Sequence, residues 1–256
     1  MGLNIAPPTQ ASRARREMFN HRYTLSPGSI NFLVTRILIA INAGWVCLSF
    51  FDQSLAVALT REDKAIEWLQ FIFLLLTAFY CLRVFLCFGR FYEERLIRNG
   101  FLMIFMLTLL VALEEISWGQ RVFGIATPDS IKLINTQNEI SIHNLSAFQR
   151  YRHWLLLVFG GSGLALIFLR GYVKKIDAKY LFFFPPDFFK VAFYLILLSG
   201  IFFEIGKLMQ KFNPGELADF VRFWAGRYTE IGELGVSITA FCYASDRFNS
   251  MPSIDR

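Results

Sequence analysis

The sequence predicts an all-α fold, a polytopic transmembrane helix bundle of about six spans. Of its 256 residues, 55% are hydrophobic and only 18% are charged, against about 25% charged residues in ordinary soluble domains. The apolar residues also occur in runs of roughly 20, the length that crosses a bilayer core of about 30 Å as a helix. Both observations favour lipid as the solvent of most side chains.

The apolar runs define the predicted elements in chain order. The six spans cover residues of about 32–51, 66–88, 100–118, 153–171, 187–207 and 229–245. The last is the least apolar, because Glu230 and Glu233 lie near its start. Residues 31–247 therefore form one predicted transmembrane domain. Residues 1–30 are polar and lack the apolar core of a signal peptide, and residues 248–256 form a second polar tail. We expect both tails in the cytoplasm.

The charge distribution predicts the orientation in a bacterial cytoplasmic (inner) membrane. The formal net charge is +6, but the basic residues lie mainly in short segments between apolar runs, which indicates topology rather than a nucleic-acid partner. With both termini inside, 13 of the 20 acidic residues fall on the outer side: Asp52, Glu62, Asp63, Glu67, Glu114, Glu115, Asp129, Glu139, Glu204, Glu216, Asp219, Glu230 and Glu233. Because acids contribute little to the positive-inside rule, this asymmetry indicates a polar site.

Tryptophan and amphipathic patterns mark the outer boundary. The five tryptophans are all predicted toward the outer side, as in an aromatic belt: Trp45, Trp68, Trp118, Trp154 and Trp224. Asn213 and Pro214 form a helix-start signal. The apolar residues that follow at helical spacing are Leu217, Phe220, Val221, Trp224 and Tyr228. They predict a separate interfacial amphipathic helix. Thr60 and Asp63 resemble a capping box at the start of the second span.

The densest polar stretch runs from residue 114 to residue 144. It reads Glu-Glu-Ile-Ser-Trp-Gly-Gln-Arg at 114–121 and continues with Thr127–Pro128. Its last polar residues are Asn135, Gln137, Glu139, His143 and Asn144. This pattern resembles the hallmark of an uncharacterised family of bacterial multi-pass membrane proteins, E-E-I-S-W-G-Q-R followed by T-P and N-x-Q-x-E-x-x-x-H-N. The resemblance implies a multi-pass membrane fold and brings no established activity with it.

A shorter segment near the second span extends the resemblance. The family tends to show E-D-G-x-x-E at the head of an earlier span, and Glu62, Asp63 and Glu67 match it, with Lys64 in place of the glycine. The resemblance is strong over roughly residues 60 to 145. Elsewhere it is only a pattern of apolar helices.

Alternating spans predict that the polar residues of five helix ends meet at the outer face. An ordered loop from Thr127 to Asn144 is expected to fold over these ends, and a convergent polar cluster under a loop is typical of a binding site. The candidate catalytic residues are Glu114, Glu115, Glu139 and His143. The candidate binding residues are Gln120, Arg121, Asn135, Gln137, Asn144, Glu67, Glu204, Glu230 and Glu233, and His153 lies at the same level.

The third span is expected to continue to about residue 121, which would place Glu114, Ser117 and Arg121 on one face and turn Glu115 about 100° away. A structural interpretation stays open beside the chemical one. Glu114, Glu115 and Arg121 would then form an ion-pair network that locks the loop, and His143 with Asn144 would hold it by hydrogen bonds. The acids of the later helices would pair with Lys207, Arg222 and Arg227.

Three functions fit these residues. The first is binding or modification of a lipid-like amphiphile at the outer leaflet, with a glutamate and His143 as acid and base. The second is a non-catalytic scaffold or assembly factor for another membrane protein. The third is a transporter or channel with an acidic outer vestibule, which the weakly charged inner half disfavours. A single nearby histidine argues against a tight zinc site, and the sequence identifies no cofactor. The expected partners are membrane lipid and, for the scaffold, another membrane protein.

The orientation predicts a labelling pattern for single cysteines in a background without Cys47, Cys81, Cys87 and Cys242. A membrane-impermeant maleimide added to intact cells is expected to modify a cysteine at Asn138→Cys and to spare one at Lys175→Cys. Both sites should react after the membrane is permeabilised. The reverse pattern in intact cells would place the acidic side in the cytoplasm.

Overall fold

The computed structural model describes residues 29–60, 65–91, 95–132, 135, 140–142, 151–172 and 180–251. In chain order its helices are α1 (Ser29–Phe51), α2 (Gln53–Leu59), α3 (Ala65–Phe91), α4 (Arg95–Glu115), α5 (Gln120–Phe123), α6 (Asp129–Lys132), α7 (Arg152–Tyr172), α8 (Lys190–Phe212) and α9 (Glu216–Asn249). The described residues are helical or in turns, so the prediction of an all-α fold is confirmed. Most of both predicted tails lies outside this part of the chain.

Four helical stretches are long and apolar enough to cross a membrane: Ala65–Phe88, Arg95–Glu115, His153–Arg170 and Leu181–Phe212, the last of which includes the short turns before α8 as well as α8 itself. They coincide with predicted spans two to five. The described apolar part of α1 is shorter, at Thr35–Phe51, and the first half of α9 carries several charged residues. The structure therefore supports a membrane protein with four span-forming helices, and the count of six remains a prediction.

Successive long helices alternate in direction. The amide of Gln70 on α3 donates to the Glu230 carbonyl on α9 (3.2 Å), and the Tyr80 ring lies 5.7 Å from the Phe248 ring farther along, so these two helices are parallel. Helix α8 runs against both α7 and α9, and α4 runs against α3. The last turns of α1, α4 and α8 and the first turns of α3, α7 and α9 consequently share one end of the bundle, here called the polar end.

Helix α9 is the centre of the packing. It contacts α3 and α8 along much of its length and also α1 and α7, and its buried residues include Ile231, Leu234 and Ile238. Trp224 near its start packs on Trp45 of α1, with ring centroids 5.9 Å apart, and both are buried. These two tryptophans therefore belong to the core rather than to an aromatic belt.

The predicted separate amphipathic helix is wrong. Asn213 closes α8 by donating its backbone N–H to the Met209 carbonyl, and Gly215 immediately precedes α9. The amphipathic segment is the first part of one continuous 34-residue helix, which is about 51 Å long. Thr60 closes α2, because its hydroxyl and its backbone N–H both bond to the Ala56 carbonyl. Asp63, the other residue of the predicted capping box, lies outside the described residues.

The far end of the bundle holds a buried charge that the sequence reasoning missed. Arg247 on α9 is 4% exposed, and its guanidinium donates to the Phe182 carbonyl (3.3 Å) and contacts Asp246. The Tyr243 hydroxyl donates to the Phe183 carbonyl (3.1 Å). Together they hold the short turn Tyr180–Phe183, which the two prolines after it separate from α8, against the end of α9.

Glycines bring α7 and α8 into close contact. A Cβ atom on Gly160 would lie 2.8 Å from the Leu197 nitrogen and 2.9 Å from the Phe193 carbonyl oxygen, and one on Gly163 would meet the Phe193 ring. Small residues therefore permit close helix packing at both positions. Gly161 has no such role, because a Cβ atom there would have open space.

The adjacent glycines provide a matched test of this packing. Gly160→Ala is expected to lower the free energy of unfolding by roughly 1–3 kcal/mol, because its methyl group meets backbone atoms that cannot rotate away. Gly161→Ala should not destabilise, since alanine favours helix by about 1 kcal/mol over glycine. Thermal unfolding of both variants in the same detergent measures the difference. Equal midpoints would contradict the close approach of the two helices.

Candidate functional site

The polar motif begins with a break in the helix rather than a continuation. Helix α4 ends at Glu115, and Ser117, Trp118 and Gly119 have φ angles of 49°, 57° and 77°. Positive φ values end a right-handed helix and are costly for residues other than glycine. The prediction that Glu114, Ser117 and Arg121 share a helix face is therefore wrong. The chain turns sharply at these residues and starts the short helix α5.

Glu114 joins this turn to the following loop. Its side chain is buried, at 6% exposure. Oε1 accepts a hydrogen bond from the Trp118 indole Nε1 (2.6 Å), and Oε2 accepts one from the backbone N–H of Ile142 (2.7 Å). Hydrogen bonds to a carboxylate are among the stronger ones in proteins. Glu114 thus connects the strained turn to a segment 28 residues later, while Glu115 is only half-buried.

Gln120 performs the same task with its amide. Its Oε1 accepts from the Ile140 backbone N–H (2.6 Å), and its Nε2 donates to the Ile125 carbonyl (2.9 Å) and to the Thr127 hydroxyl (2.5 Å). In the same loop, Asn135 Nδ2 donates to the Ser141 carbonyl (3.0 Å). Two alternate N–H groups of the loop, at 140 and 142, therefore bond to side chains from the motif.

Several predicted site residues lie outside the described part of the chain. These are Gln137, Glu139, His143 and Asn144, together with the side chain of Arg121. The use of a glutamate with His143 as acid and base stays a prediction. The described hydrogen bonds of Glu114 hold the loop at the helix end, and the expected ion-pair network with Glu115 and Arg121 stays a prediction.

A second polar group joins α7 to α8 at the same end of the bundle. The imidazole Nε2 of His153 contacts Glu204 Oε1, and the same oxygen accepts from Lys207 Nζ (3.0 Å). The His153 ring is fully buried and stacks on the Phe203 ring, with centroids 4.6 Å apart. The Arg222 guanidinium of α9 lies 4.0 Å from the centroid of that Phe203 ring.

The pairing of Glu204 with Lys207 was one of the alternatives open in the sequence, and the contact with His153 was not foreseen. The signal was present: His153 opens one span and Glu204 lies near the end of the next, and antiparallel neighbours bring such ends together. Arg227 behaves differently from expectation, because its guanidinium donates to the Thr60 carbonyl (3.1 Å).

The remaining acids lie half-buried on α3 and α9. They are Glu67, Glu230 and Glu233. The residue missed between these helices is Gln70, which is 1% exposed and donates to the Glu230 carbonyl. Across the part of the chain that the structure describes, no group of three or more His, Cys, Asp or Glu residues is placed to hold a metal ion.

The extensive helix contacts run in the order α4, α3, α9, α8, α7. The loop bound by Glu114 and Gln120 therefore belongs to one end of this row, and the pair of His153 and Glu204 belongs to the other. The first group, Glu114 and Gln120, holds the backbone of the loop in place by hydrogen bonds. The second offers an imidazole, a carboxylate and an ammonium group, which can bind polar ligand groups and exchange protons.

Comparison with known proteins adds no relative. No protein-family model matches the chain, and neither a curated protein nor a solved structure matches it significantly. The chemistry of the site is thus argued from its own residues.

The Glu114 hydrogen bonds predict a specific loss in the Glu114→Gln variant. A glutamine offers one acceptor oxygen, so either Trp118 Nε1 or the Ile142 N–H is left facing an NH₂ group, at a cost of roughly 1–3 kcal/mol. Hydrogen–deuterium exchange should show faster exchange at Ile142, and the thermal midpoint should fall. Glu216→Gln, at an exposed position on the first turn of α9, is the matched control and should change neither. Unchanged protection at Ile142 would contradict the role of Glu114 in holding the loop.

Proposed function

We propose that the chain is a six-span protein of a bacterial cytoplasmic membrane and that its polar end faces outward and binds a lipid-like amphiphile. The four apolar helices and the alternating helix directions support the topology. The E-E-I-S-W-G-Q-R resemblance supports membership of a multi-pass membrane family. Three half-exposed tryptophans near the polar end, Trp68, Trp118 and Trp154, suit the boundary between headgroups and acyl chains.

The observation that carries the proposal is the position of the His153–Glu204–Lys207 group. His153 is the first residue of an apolar stretch that extends to Arg170, so in a bilayer it lies at the level of the headgroups. His153 is also fully buried, and an ionisable side chain buried inside a membrane protein is costly unless it is paired and marks a functional site by default. An imidazole and a carboxylate bridged to an ammonium group would bind the polar part of an amphiphile, and the apolar helix faces would contact its chain.

The hydrogen bonds of Glu114 and the exposure of Glu204 change the roles proposed for the candidate site residues. Glu114 has both carboxylate oxygens engaged by N–H donors, which supports a positioning role for Glu114 and for Gln120. Glu204 is the better candidate for contact with a ligand, because its side chain is 27% exposed beside a fully buried His153. Any acid–base step would then use His153 and Glu204 rather than Glu114 and Glu115.

A lipid-occupancy measurement tests this proposal. Native mass spectrometry of the detergent-purified protein is expected to show bound phospholipid in the wild type and a severalfold lower occupancy in Glu204→Gln, because the neutral amide no longer holds Lys207 and His153 in place. Glu216→Gln, an acid-to-amide change at an exposed position, is the control and should keep the wild-type occupancy. Equal occupancy in all three proteins would contradict a lipid site at Glu204.

A scaffold function is the second candidate, and the loop favours it. The side chains of Trp118, Phe123, Ile125 and Ile142 around the Glu114 turn are 45–76% exposed, although the backbone beneath them is held by hydrogen bonds. A rigid apolar surface of this kind suits docking of another membrane protein. The occupancy experiment separates the two functions, since a scaffold with no lipid site predicts the same bound lipid in the wild type and in Glu204→Gln.

A further inference from the structure

The ring of His153 presents two nitrogens with different surroundings. Nε2 contacts the Glu204 carboxylate. Both nitrogens are buried without a hydrogen bond of regular geometry among the described residues, and Nδ1 also lacks the ion-pair contact that Nε2 makes. A buried polar atom without a partner is uncommon and calls for a physical explanation, such as a bound water or a ligand group.

The contact with Glu204 determines which nitrogen carries the proton. An ionised carboxylate only accepts hydrogen bonds, so Nε2 facing it must be the N–H donor. In the neutral imidazole the lone pair is then on Nδ1, which becomes a hydrogen-bond acceptor. A carboxylate on one nitrogen also raises the basicity of the other, as in carboxylate–histidine pairs elsewhere. The missing partner of Nδ1 is consequently a hydrogen-bond donor.

The surroundings restrict what that donor can be. Among the described residues, Lys207 on α8 and Arg222 on α9 are the cationic groups that influence His153, and both would repel a cationic donor. A neutral hydroxyl group is not repelled. His153 also lies at the start of an apolar stretch, where the hydroxyl groups of lipid headgroups are concentrated. Of the two rings beside the imidazole, Phe203 is buried and Trp154 is half-exposed, with its centroid 5.9 Å from that of the imidazole.

We infer that His153 Nδ1 is the acceptor for a hydroxyl group on the headgroup of the bound amphiphile, with Glu204 holding the imidazole in the required tautomer. This inference rests on the proposed function, because it names the chemistry that the lipid site selects. Glycerol-type and sugar-type headgroups carry such a hydroxyl. Phosphatidylcholine lacks any hydrogen-bond donor in its headgroup.

The first test compares two anionic lipids of the same charge in nanodiscs of phosphatidylcholine. Phosphatidylglycerol carries headgroup hydroxyls and phosphatidylmethanol does not. The wild type is expected to bind phosphatidylglycerol roughly threefold to tenfold more tightly, the contribution of about one net hydrogen bond. His153→Gln should lose this preference while still folding, because its amide nitrogen reaches the former Nε2 position and can donate to Glu204, whereas nothing replaces Nδ1.

The second test measures His153 in the wild type. The ¹⁵N imidazole spectrum of the wild type at about pH 8, above the usual histidine pKa, contains the signals of three histidines, and those absent from the spectrum of His153→Gln belong to His153. In phosphatidylcholine His153 should show a protonated Nε2 and a lone pair on Nδ1. Addition of phosphatidylglycerol should shift the Nδ1 signal, and phosphatidylmethanol should not.

The outcomes separate the two proposals. Equal binding of both anionic lipids with an unmoved Nδ1 signal overturns the hydroxyl inference and leaves the lipid site standing. Binding of neither lipid above the phosphatidylcholine background overturns the lipid site itself. A protonated Nδ1 in phosphatidylcholine overturns the tautomer on which the inference depends. An Nδ1 shift with free glycerol at the same hydroxyl concentration supports the acceptor role and assigns it to soluble polyols instead of lipid.

Discussion

The constraint on which the structure depends is the absence of water along most of its length. A backbone N–H or C=O group without a partner in hydrocarbon costs several kcal/mol, so a chain in a bilayer must satisfy these groups within its own helices. Helices have unpaired backbone groups only at their ends. Polar side chains are accordingly useful at the ends, and this protein places Glu114, Gln120, His153 and Glu204 at one end and Arg247 at the other.

The two ends handle their polar groups in different ways. At the far end, Arg247 and Tyr243 donate to the carbonyls of a short aromatic turn, and the charge is buried with Asp246 beside it. At the polar end, acceptor side chains of the motif bond to N–H groups of a loop. Both arrangements supply hydrogen-bond partners for backbone groups in the non-helical segments next to the long helices. The pair of His153 and Glu204 joins side chain to side chain between two long helices, as Tyr228 with Asn42 and Gln210 with Asp219 also do, so it is not needed to satisfy backbone.

Periodicity and hydropathy predicted the long helices well, because a long run of apolar residues in lipid satisfies its backbone groups most simply as a helix. The continuity of helix α9 was not predicted. Its first half is polar enough to resemble a surface helix, yet packing against α1, α3 and α8 keeps it continuous. The break after Glu115 was not predicted either, since Ser117 and Trp118 have no intrinsic preference for the positive φ angles that they adopt in the turn bonded to Glu114. Pairing across helices, as between His153 and Glu204, depends on register and rotation, which spacing along one chain does not specify.

The central place of α9 has a consequence for how the protein is made. Synthesis proceeds from the N-terminus, and α9 follows α1, α3 and α8 in the chain, although it supplies the surface on which all three pack. The earlier helices must therefore remain in the membrane with their future contact faces covered by lipid until the ribosome has delivered residues 216–249. Assembly of the core is thus a late event, and a chain interrupted before α9 would retain its hairpins of neighbouring helices but lack the element that unites them.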